Sequence, residues 1–299
     1  MSAASPGPQP ATIASARRAA SALLAVHATA QLDADLLLCQ VLGVARVGLL
    51  TAPARVLSTD EVTSYDALVA RRVAGEPIAY LVGHQEFYGL DLTVSPAVLV
   101  PRADTETLVD AALTRLDEAP RQVLDLGTGS GAVALALASR RPEWRLIATD
   151  ASADALIVAL ENCLRHDEIG VQLRLVQADW LTCFADCCAD AIVANPPYVA
   201  RDHGNAPLLR HEPAAALFAG NDGLDDLRTI VSQAPRVLKT LGWLLLEHGM
   251  DQGPAVRTLM QNAGFRAIST DPDLAGLERV TAGRLDRIPT AQLTRVPSG

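Results

Sequence analysis

The chain between residues 11 and 75 carries apolar side chains at helical spacing and shows no alternating strand pattern. The repeat is clearest at Ala34, Leu37, Leu38, Val41 and Leu42. Intervals of three and four residues are typical of one buried helix face, so this region predicts a small helical domain. Pro53 predicts a break within it, and Thr59 or Asp60 is the predicted N-cap of a last helix that ends at Gly75.

The pattern of polar and apolar positions then changes. EFYGLDLTVS alternates β-forming and polar residues around Gly89, which predicts a hairpin. ADTETLVDAALTRL predicts a helix with Asp104 or Thr105 near its N-cap. From these changes we expect three parts, which are a helical domain at 1–80, a hairpin linker at 81–105 and a larger domain at 106–299.

Short apolar runs alternate with helical stretches from about residue 120 onwards. The runs are QVLDLG, RLIATD, LRLVQAD, AIVANPP and WLLLEHG, and the helical stretches among them include GAVALALASR and ASADALIVALENCL. Apolar strands separated by helices are typical of a parallel sheet that is covered on both faces. With FRAIST and GLERVTAGRL as two further strands, the predicted fold is a doubly wound α/β domain around a mostly parallel, seven-stranded sheet.

Composition and charge narrow the class of protein. Of 299 residues, 49% are hydrophobic and 20% charged, which excludes general disorder. The 25 Lys and Arg residues against 34 Asp and Glu residues give a net charge of −9, which argues against broad binding to phosphate backbones. Because no apolar run is long enough to cross a bilayer and no signal sequence is evident, we expect a cytoplasmic protein without a membrane partner.

The cysteines do not form a recognisable metal-binding or disulfide pattern. They are Cys39, Cys163, Cys183, Cys187 and Cys188. An odd number of cysteines without a CxxC pair predicts buried free thiols in a reducing compartment. The last three lie close together but lack a second pair of ligands, so we expect no metal site.

Ligands of a doubly wound sheet bind at the carboxyl ends of its strands, and the first such end here is a glycine-rich loop. Its candidate cofactor-binding residues are Asp125, Gly127, Thr128, Gly129, Ser130 and Gly131. The glycines let the backbone approach a ligand, and the helix behind them offers unpaired N–H groups. An acid at Asp125 repels a pyrophosphate but suits an ammonium group, and G-x-G-x-G departs from the G-x-G-x-x-G dinucleotide pattern.

Two further strand ends carry acidic residues. Asp150 ends RLIATD, where a carboxylate accepts hydrogen bonds from both hydroxyls of a ribose. The loop and Asp150 together predict a nucleoside cofactor and leave NAD and S-adenosylmethionine open, with the loop details against NAD. Asp179 and Trp180 end LRLVQAD, where the carboxylate suits an adenine amine and the indole suits a ring face.

The fourth strand end is Asn195-Pro196-Pro197-Tyr198. Two prolines end the strand and stiffen the chain. The Asn195 side chain and the Pro196 carbonyl are two acceptors that match the two donors of a planar NH₂ group, while Tyr198 suits stacking on a flat amide or base. We therefore predict Asn195, Pro196 and Tyr198 as catalytic residues, and these with Pro197 as the substrate-binding segment.

These motifs resemble those of class I S-adenosylmethionine-dependent methyltransferases that act on NH₂ nitrogens. The fuller pattern is similar to the HemK/PrmC-type family, the peptide chain release factor N5-glutamine methyltransferases. The blocks that carry the resemblance are, in order, DADLLLCQVLG, GEPIAYLVGHQEFYGLDLTVSPAVLVPRADTETLV, DLGTGSGAVALALA, ADW, NPPY, HEPAAALFAG, LLLEHG and ERVTAGR. They cover the chain from about residue 30 to 285, whereas a generic methyltransferase would match only the loop and NPPY.

The resemblance implies a class I methyltransferase fold, S-adenosylmethionine as cofactor and release factors as partners. The substrate would be the glutamine of their Gly-Gly-Gln motif, held by residues 195–198, and the helical domain would help to recognise the release factor. Residues 127–131, Asp150, Trp180 and Asn195 are expected to contact the cofactor. Ala103 stands where a proline is common in the family and touches no proposed contact.

Two other methyl acceptors and several side chains remain open. Adenine presents the same NH₂ geometry, but methylating it in nucleic acid calls for a basic surface. Because the net charge of this chain is −9, we expect no stable nucleic-acid binding. NPPY does not exclude a glutamine of a ribosomal protein. Arg102, Thr105 and Glu106 could close over the cofactor or form ion pairs, and Glu212 could shape the substrate loop. Phe87 and Tyr88 could line the substrate entrance or pack in the core of the hairpin. For Glu247 and His248 we favour a structural role.

Overall fold

The computed structural model describes residues 11–170, 172–201 and 210–286. The chain divides into two compact units, Met1–His84 and Gln85–Gly299. In the described residues, no helix is long and apolar enough to cross a membrane.

Unit 1 is helical, as predicted. Its helices are α1 (Ile13–Leu23), α2 (Ala30–Leu42), α3 (Arg46–Thr51), α4 (Thr59–Val73) and α5 (Ile78–Val82). The apolar face of α2 supplies the centre of the core, where Leu37 and Leu38 are fully buried. Tyr65 of α4 packs there as well and donates its hydroxyl to the Ala34 carbonyl over 2.9 Å. The predicted break at Pro53 lies between α3 and α4.

The predicted N-cap of α4, Thr59 or Asp60, is wrong by one or two residues. The cap is Ser58, whose hydroxyl accepts from the Glu61 N–H at 3.2 Å, while the Glu61 carboxylate accepts from the Ser58 N–H at 2.8 Å. This reciprocal pair requires Glu or Gln three residues after the cap, and Ser58 satisfies that spacing. Gly75 lies two residues beyond the end of α4, close to the predicted stop.

Two acidic residues are buried in α2 and neutralised by arginines from other helices. Asp35 accepts two hydrogen bonds from the Arg17 guanidinium, at 2.6 and 2.9 Å, and Arg46 stands 3.4 Å away. Asp33 accepts from Arg72 at 2.7 Å. Removing one partner of a buried pair leaves an uncompensated charge, so these pairs tie α2 to α1 and α4.

Arg17→Ala is therefore expected to destabilise unit 1 by about 3 kcal/mol, because the Asp35 carboxylate loses its two-point partner. Arg18→Ala removes an exposed arginine from the same helix and is expected to change stability by less than about 0.5 kcal/mol. Urea denaturation of both variants followed by circular dichroism measures the difference. Equal unfolding midpoints would show that the Asp35 pair adds no stability.

The predicted hairpin starts at the last residue of unit 1, His84, and unit 2 contains the rest of it and the predicted sheet. β1 (His84–Phe87) and β2 (Leu90–Thr93) are joined by Tyr88 and Gly89, both with positive φ, as a two-residue hairpin turn requires. The sheet strands are β3 (Gln122–Leu126), β4 (Arg145–Asp150), β5 (Leu173–Gln177), β6 (Ala189–Ala194), β7 (Leu238–Glu247), β8 (Phe265–Pro272) and β9 (Glu278–Leu285). The helices are α6 (Glu106–Arg115), α7 (Ala132–Arg140), α8 (Ala153–Arg165), α9 (Asp167–Gly170), α10 (Asp225–Val237) and α11 (Gly253–Asn262).

Within the described residues, the seven sheet strands have the order β5-β4-β3-β6-β7-β9-β8. The first five are parallel, and β9 is antiparallel to both of its neighbours. Alternate side chains pack on opposite faces, so that Val123 belongs to the core under α6 and α7 and Leu124 to the core under α10 and α11. The mostly parallel, doubly wound prediction is confirmed.

This strand order sets the position of the site. From β3 the chain moves to one side through β4 and β5 and then crosses to the other side at β6. A doubly wound sheet binds ligands at such a switch point, outside the carboxyl ends of its strands. Leu126 pairs with both Thr149 and Ala194, so the residues that follow β3, β4 and β6 meet at one edge.

The cysteine prediction is partly wrong. All five thiols are free, but Cys183 and Cys187 are exposed, while Cys163 is buried. The exposed pair lies in the connection between β5 and β6, and connections run over the surface, where side-chain burial does not follow from residue type. Among the described residues, no group of three His, Cys, Asp or Glu side chains is arranged to hold a metal ion.

Candidate active site

A cavity of about 380 Å³ lies at the carboxyl ends of the strands at the switch point, within the usual size for a small-molecule site. The predicted residues that line it are Asp125, Gly127, Thr128, Gly129, Ser130, Asp150, Asp179, Trp180, Asn195 and Pro197. The predicted residues that do not line it are Gly131, Pro196 and Tyr198. One cavity thus brings together side chains from four strand ends.

The glycine-rich loop is shaped by backbone that other residues rarely adopt. Gly127 and Gly129 have φ of 65° and 55°, a region in which a side chain is strained. The loop is bonded to the end of β4, because the Thr128 N–H donates to the Thr149 carbonyl at 2.8 Å. A Cβ placed on Gly127 would stand 3.5 Å from the Trp180 ring, so the indole packs directly against this loop.

Asp125 is a buried carboxyl in the cavity wall. It is 2% exposed and accepts a 2.6 Å hydrogen bond from the Thr128 hydroxyl. Burial raises its pKa to about 7, against the hydrogen bonds of Thr128 and the Ala134 backbone. Because a buried carboxylate without a cation is unfavourable, a positively charged ligand group at this position would be held strongly.

Asp150 links the loop to the start of α8. Its Oδ2 accepts from the Gly129 N–H at 3.0 Å, and its Oδ1 accepts from the Ser152 N–H at 2.9 Å. Each carboxylate oxygen has a second lone pair, so both remain able to accept from a ligand in the cavity. Two adjacent acceptors held by backbone bonds are suited to a vicinal diol.

The Trp180 end of the cavity contains an acidic residue that the sequence did not reveal. Trp180 has a φ of 44°, a strained conformation for a bulky residue. Asp226 in the first turn of α10 also lines the cavity. Burial raises the pKa of its carboxyl, and a hydrogen bond from Trp180 offsets part of that rise. An acid in the first turn of a helix is common for capping reasons alone, so sequence gave no signal for this position.

Asn195 is anchored by a residue from another part of the chain. Its Nδ2 donates to the Thr105 hydroxyl oxygen at 3.1 Å. Thr105 is 5% exposed and lies at the N-cap of α6, where its side chain makes no capping hydrogen bond. With its NH₂ group on Thr105, Asn195 keeps its amide oxygen as the acceptor available to a ligand in the cavity.

Tyr198 is directed into the protein interior. Its hydroxyl donates to the Glu247 carboxylate at 3.3 Å, and burial raises its pKa. The Tyr198 backbone carbonyl accepts from Gln252 Nε2 at 3.1 Å, which holds the turn. Stacking of Tyr198 on a substrate group stays a prediction.

The side chains without an assigned role are placed as follows. Glu212 is buried, accepts from the Val100 N–H at 3.0 Å and pairs with Arg102, which lines the cavity. Glu106 accepts from the Tyr88 N–H at 2.9 Å, so its contact is with the hairpin. Phe87 is 1% exposed and belongs to the core, as in the packing alternative.

His248 supports the structural alternative at the end of β7. It is fully buried, and its ring nitrogens lie 2.8 Å from the Gly249 carbonyl and 2.8 Å from the Thr281 hydroxyl. Because the carbonyl only accepts, Nδ1 is the donor and Nε2 the acceptor. Burial lowers its pKa, which favours this neutral form.

The sheet order, the glycine-rich loop and the acid that ends β4 define the class I methyltransferase fold. A solved methyltransferase structure from Pyrococcus furiosus aligns with a TM-score of 0.52 over 73% of this chain and 98% of its own, at 16% identity. A likeness at that identity supports the fold alone. The family resemblance that the motifs indicate is tested by relatives with higher sequence identity to this chain.

Residues 15–83 match the PrmC N-terminal domain family, and residues 104–211 match the methyltransferase small domain family. The release factor glutamine methyltransferase of Xylella fastidiosa (strain 9a5c) is 47% identical over 257 residues, which is 85% of this chain and 93% of that protein. That of Escherichia coli (strain K12) is 44% identical over 254 residues, 84% of this chain and 91% of that protein. The chain belongs to the release factor glutamine methyltransferase family.

Proposed function

We propose that this protein transfers a methyl group from S-adenosylmethionine to the side-chain nitrogen N5 of the glutamine in the Gly-Gly-Gln motif of peptide chain release factors. The observation that carries the proposal is the Asn195 amide, anchored on Thr105 beside a cavity with acids from β3, β4 and the β5 end. The proposal is supported by relatives that align with 84–85% of this chain and whose names state that they are release factor glutamine methyltransferases. The reaction belongs to the cytoplasm, where release factors act. We assign substrate recognition to the N-terminal residues 1–80.

The cavity wall fits three polar parts of S-adenosylmethionine, which are the ammonium group, the ribose and the adenine. The buried Asp125 carboxyl suits the ammonium group, and Asp150 offers two oxygens to the ribose hydroxyls. Asp179 and Trp180 suit the adenine amine and ring face. When bound, the cofactor supplies an electrophilic methyl group on a sulfonium, which needs placement rather than activation.

Asn195 and Pro196 act on the substrate nitrogen. An amide nitrogen is a poor nucleophile because its lone pair is delocalised into the carbonyl. Accepting its two N–H groups at the Asn195 Oδ1 and the Pro196 carbonyl orients the lone pair and stabilises the positive charge that develops on nitrogen. The bound cofactor would give up its methyl group as its C–S bond breaks and the new N–C bond forms, and the methylated nitrogen, then strongly acidic, would release its proton to water.

Positioning supplies most of the rate in this scheme. Holding nitrogen and methyl group in line at near-attack distance contributes on the order of 7–11 kcal/mol. No described side chain is needed as a strong base, because the proton leaves after the new bond has formed. The rigid Pro196-Pro197 turn is suited to this task, since proline fixes φ.

The affinity for S-adenosylmethionine is expected to weaken as the pH falls through about 7. The pKa of Asp125 is raised, so the unliganded carboxyl takes up a proton below that value and no longer attracts an ammonium group. Between pH 7.5 and 6, the Kd is expected to rise roughly tenfold. Isothermal titration calorimetry across this range measures the change.

5′-Methylthioadenosine is the matched control ligand, because it lacks the amino-acid part of the cofactor. Its affinity is expected to stay constant over the same range, and Asp125→Asn is expected to bind the whole cofactor weakly and without this pH dependence. Equal pH dependence for both ligands would disprove an ammonium contact at Asp125.

The proposed function is tested by offering three classes of acceptor to the purified protein with methyl-labelled S-adenosylmethionine. These are release factors, ribosomal proteins and nucleic acid, with a release factor whose Gly-Gly-Gln glutamine is replaced by alanine as the matched control. We expect label on the intact release factor and none on its control. Label on ribosomal proteins or nucleic acid alone would replace the proposal with one of those acceptors.

A further inference from the structure

A buried carboxyl lies directly behind the NPPY turn. Glu247 ends β7 and is 1% exposed. β6 and β7 are paired neighbours, with Ala194 opposite Leu246, so Glu247 stands beside the residue that follows β6, which is Asn195. Tyr198 of the same turn donates its hydroxyl to Glu247 Oε1 at 3.3 Å.

The second oxygen of this carboxyl and the hydroxyl of Thr105 complement each other. Glu247 Oε2 is buried and has no formed hydrogen bond within the described residues. The Thr105 hydroxyl oxygen accepts from Asn195 Nδ2, and among the described residues no hydrogen bond runs from the Thr105 hydroxyl to an acceptor. Thr105 is also the neighbour whose hydrogen bonding lowers the pKa of Glu247 against the effect of burial. The Glu247 oxygen and the Thr105 hydroxyl hydrogen are therefore a complementary acceptor and donor.

Glu247 is costly to keep for packing alone. It is fully desolvated, and the nearby arginine, Arg279, has its salt bridges with Asp104 and Asp273 instead. An apolar residue of similar size would be at least as favourable for the stability of a buried strand end. Departures of this kind from good packing are expected at functional positions.

We propose that Thr105 and Glu247 are positioning residues that hold the Asn195 amide with its oxygen toward the substrate nitrogen. The inference rests on the proposed function. Glu247 takes the hydroxyl hydrogen of Thr105, so the Thr105 oxygen is left to accept from Asn195 Nδ2. If Thr105 instead donated to Asn195, the amide would turn over and present N–H donors to the N–H donors of the substrate. The bond from Tyr198 fixes the same carboxyl from its other side.

Thr105→Val tests this arrangement, because valine keeps the shape of threonine and removes the hydroxyl. We expect kcat to fall about 100-fold while KM and Kd for S-adenosylmethionine change by less than about twofold. Thr105→Ser retains the hydroxyl and is the rescue control, with kcat within about threefold of the unmodified protein. Unchanged kcat in Thr105→Val would overturn the proposal.

Glu247→Met removes the acceptor with a side chain of similar length, and it tests whether the two residues act as one unit. We expect a loss of kcat similar to that of Thr105→Val, and no further loss in the double variant, because either change frees the Asn195 amide. Losses that multiply in the double variant would contradict a shared role. This pair also keeps the test decisive if one single variant fails to fold.

A readout without turnover separates this inference from the proposed function. With ¹⁵N-labelled asparagine, the Asn195 side-chain amide gives its own NMR signals, assigned by their loss in Asn195→Ala. In the unmodified protein we expect the Asn195 amide hydrogen that is bonded to Thr105 to exchange slowly with solvent. In Thr105→Val and Glu247→Met we expect the same hydrogen to exchange faster. If release factors are not methylated but solvent exchange changes in both variants, the proposed substrate is wrong and the anchoring of Asn195 stands. Unaltered solvent exchange in both variants would contradict the anchoring itself.

Discussion

Asn195→Ala is expected to lower kcat for methyl transfer by about 10³-fold, while the Kd for S-adenosylmethionine changes by less than about threefold. The Asn195 oxygen is a side-chain acceptor that the Thr105 bond leaves available beside the cavity, and alanine removes it together with that bond. An interaction that strengthens as charge develops on nitrogen acts on turnover rather than on cofactor binding. Single-turnover kinetics with a release factor measure the first quantity and calorimetry the second.

Asn262→Ala is the matched control for this prediction, since Asn262 is exposed at the end of α11 and is not one of the residues that line the cavity. Its kcat is expected to equal that of the unmodified protein. A tenfold or smaller loss in Asn195→Ala would show that the amide does not hold the reacting nitrogen.

Asp150→Ala is expected to raise the Kd for S-adenosylmethionine by about 100-fold or more, because two hydrogen bonds to a charged acceptor are lost. The carboxylate also orders the loop through the Gly129 N–H, so the variant loses the ribose acceptors and part of the loop geometry together. The saturated kcat is expected to change much less, since neither effect is specific to the transition state.

Asp154→Ala removes an exposed acid from the first turn of α8 and controls for the change in net charge. Its Kd for the cofactor is expected to stay within about twofold of the unmodified protein. A cofactor analogue that lacks the ribose 2′-hydroxyl sharpens the comparison, because its binding should suffer less from Asp150→Ala. An equal loss for both ligands would show that Asp150 acts on the loop alone.

The sequence predicted those parts of the molecule that depend on local pattern. The strands β3, β4 and β6 read as apolar runs because a parallel sheet covered on both faces buries both sides of a strand. The edge strand β5 read as an apolar run as well, although none of its residues is fully buried. Their end residues Asp125, Asp150, Asp179 and Asn195 line one cavity because parallel strands end at the same edge. The family that their motifs resemble is confirmed by the relatives.

The remaining features depend on contacts between distant parts of the chain. Thr105 was a candidate helix cap, yet its hydroxyl bonds Asn195, ninety positions along. Glu247 had an expected structural role, but its carboxyl lies against Tyr198 because β6 and β7 pair, a neighbourhood that composition does not encode. Asp226 reaches the cavity from the start of α10, where an acid is ordinary. The exposure of Cys183 likewise depends on the path of a connection rather than on residue type.

We propose that the anchored Asn195 amide and the Pro196 carbonyl present the glutamine of Gly-Gly-Gln to the cofactor methyl group. The most direct measurement is fragment-ion mass spectrometry of a release factor after incubation with this protein and S-adenosylmethionine. We expect one added methyl group on the side-chain nitrogen of that glutamine, absent when Asn195→Ala replaces the unmodified protein. A release factor that stays unmodified at this glutamine, or the same modification in both reactions, would contradict it.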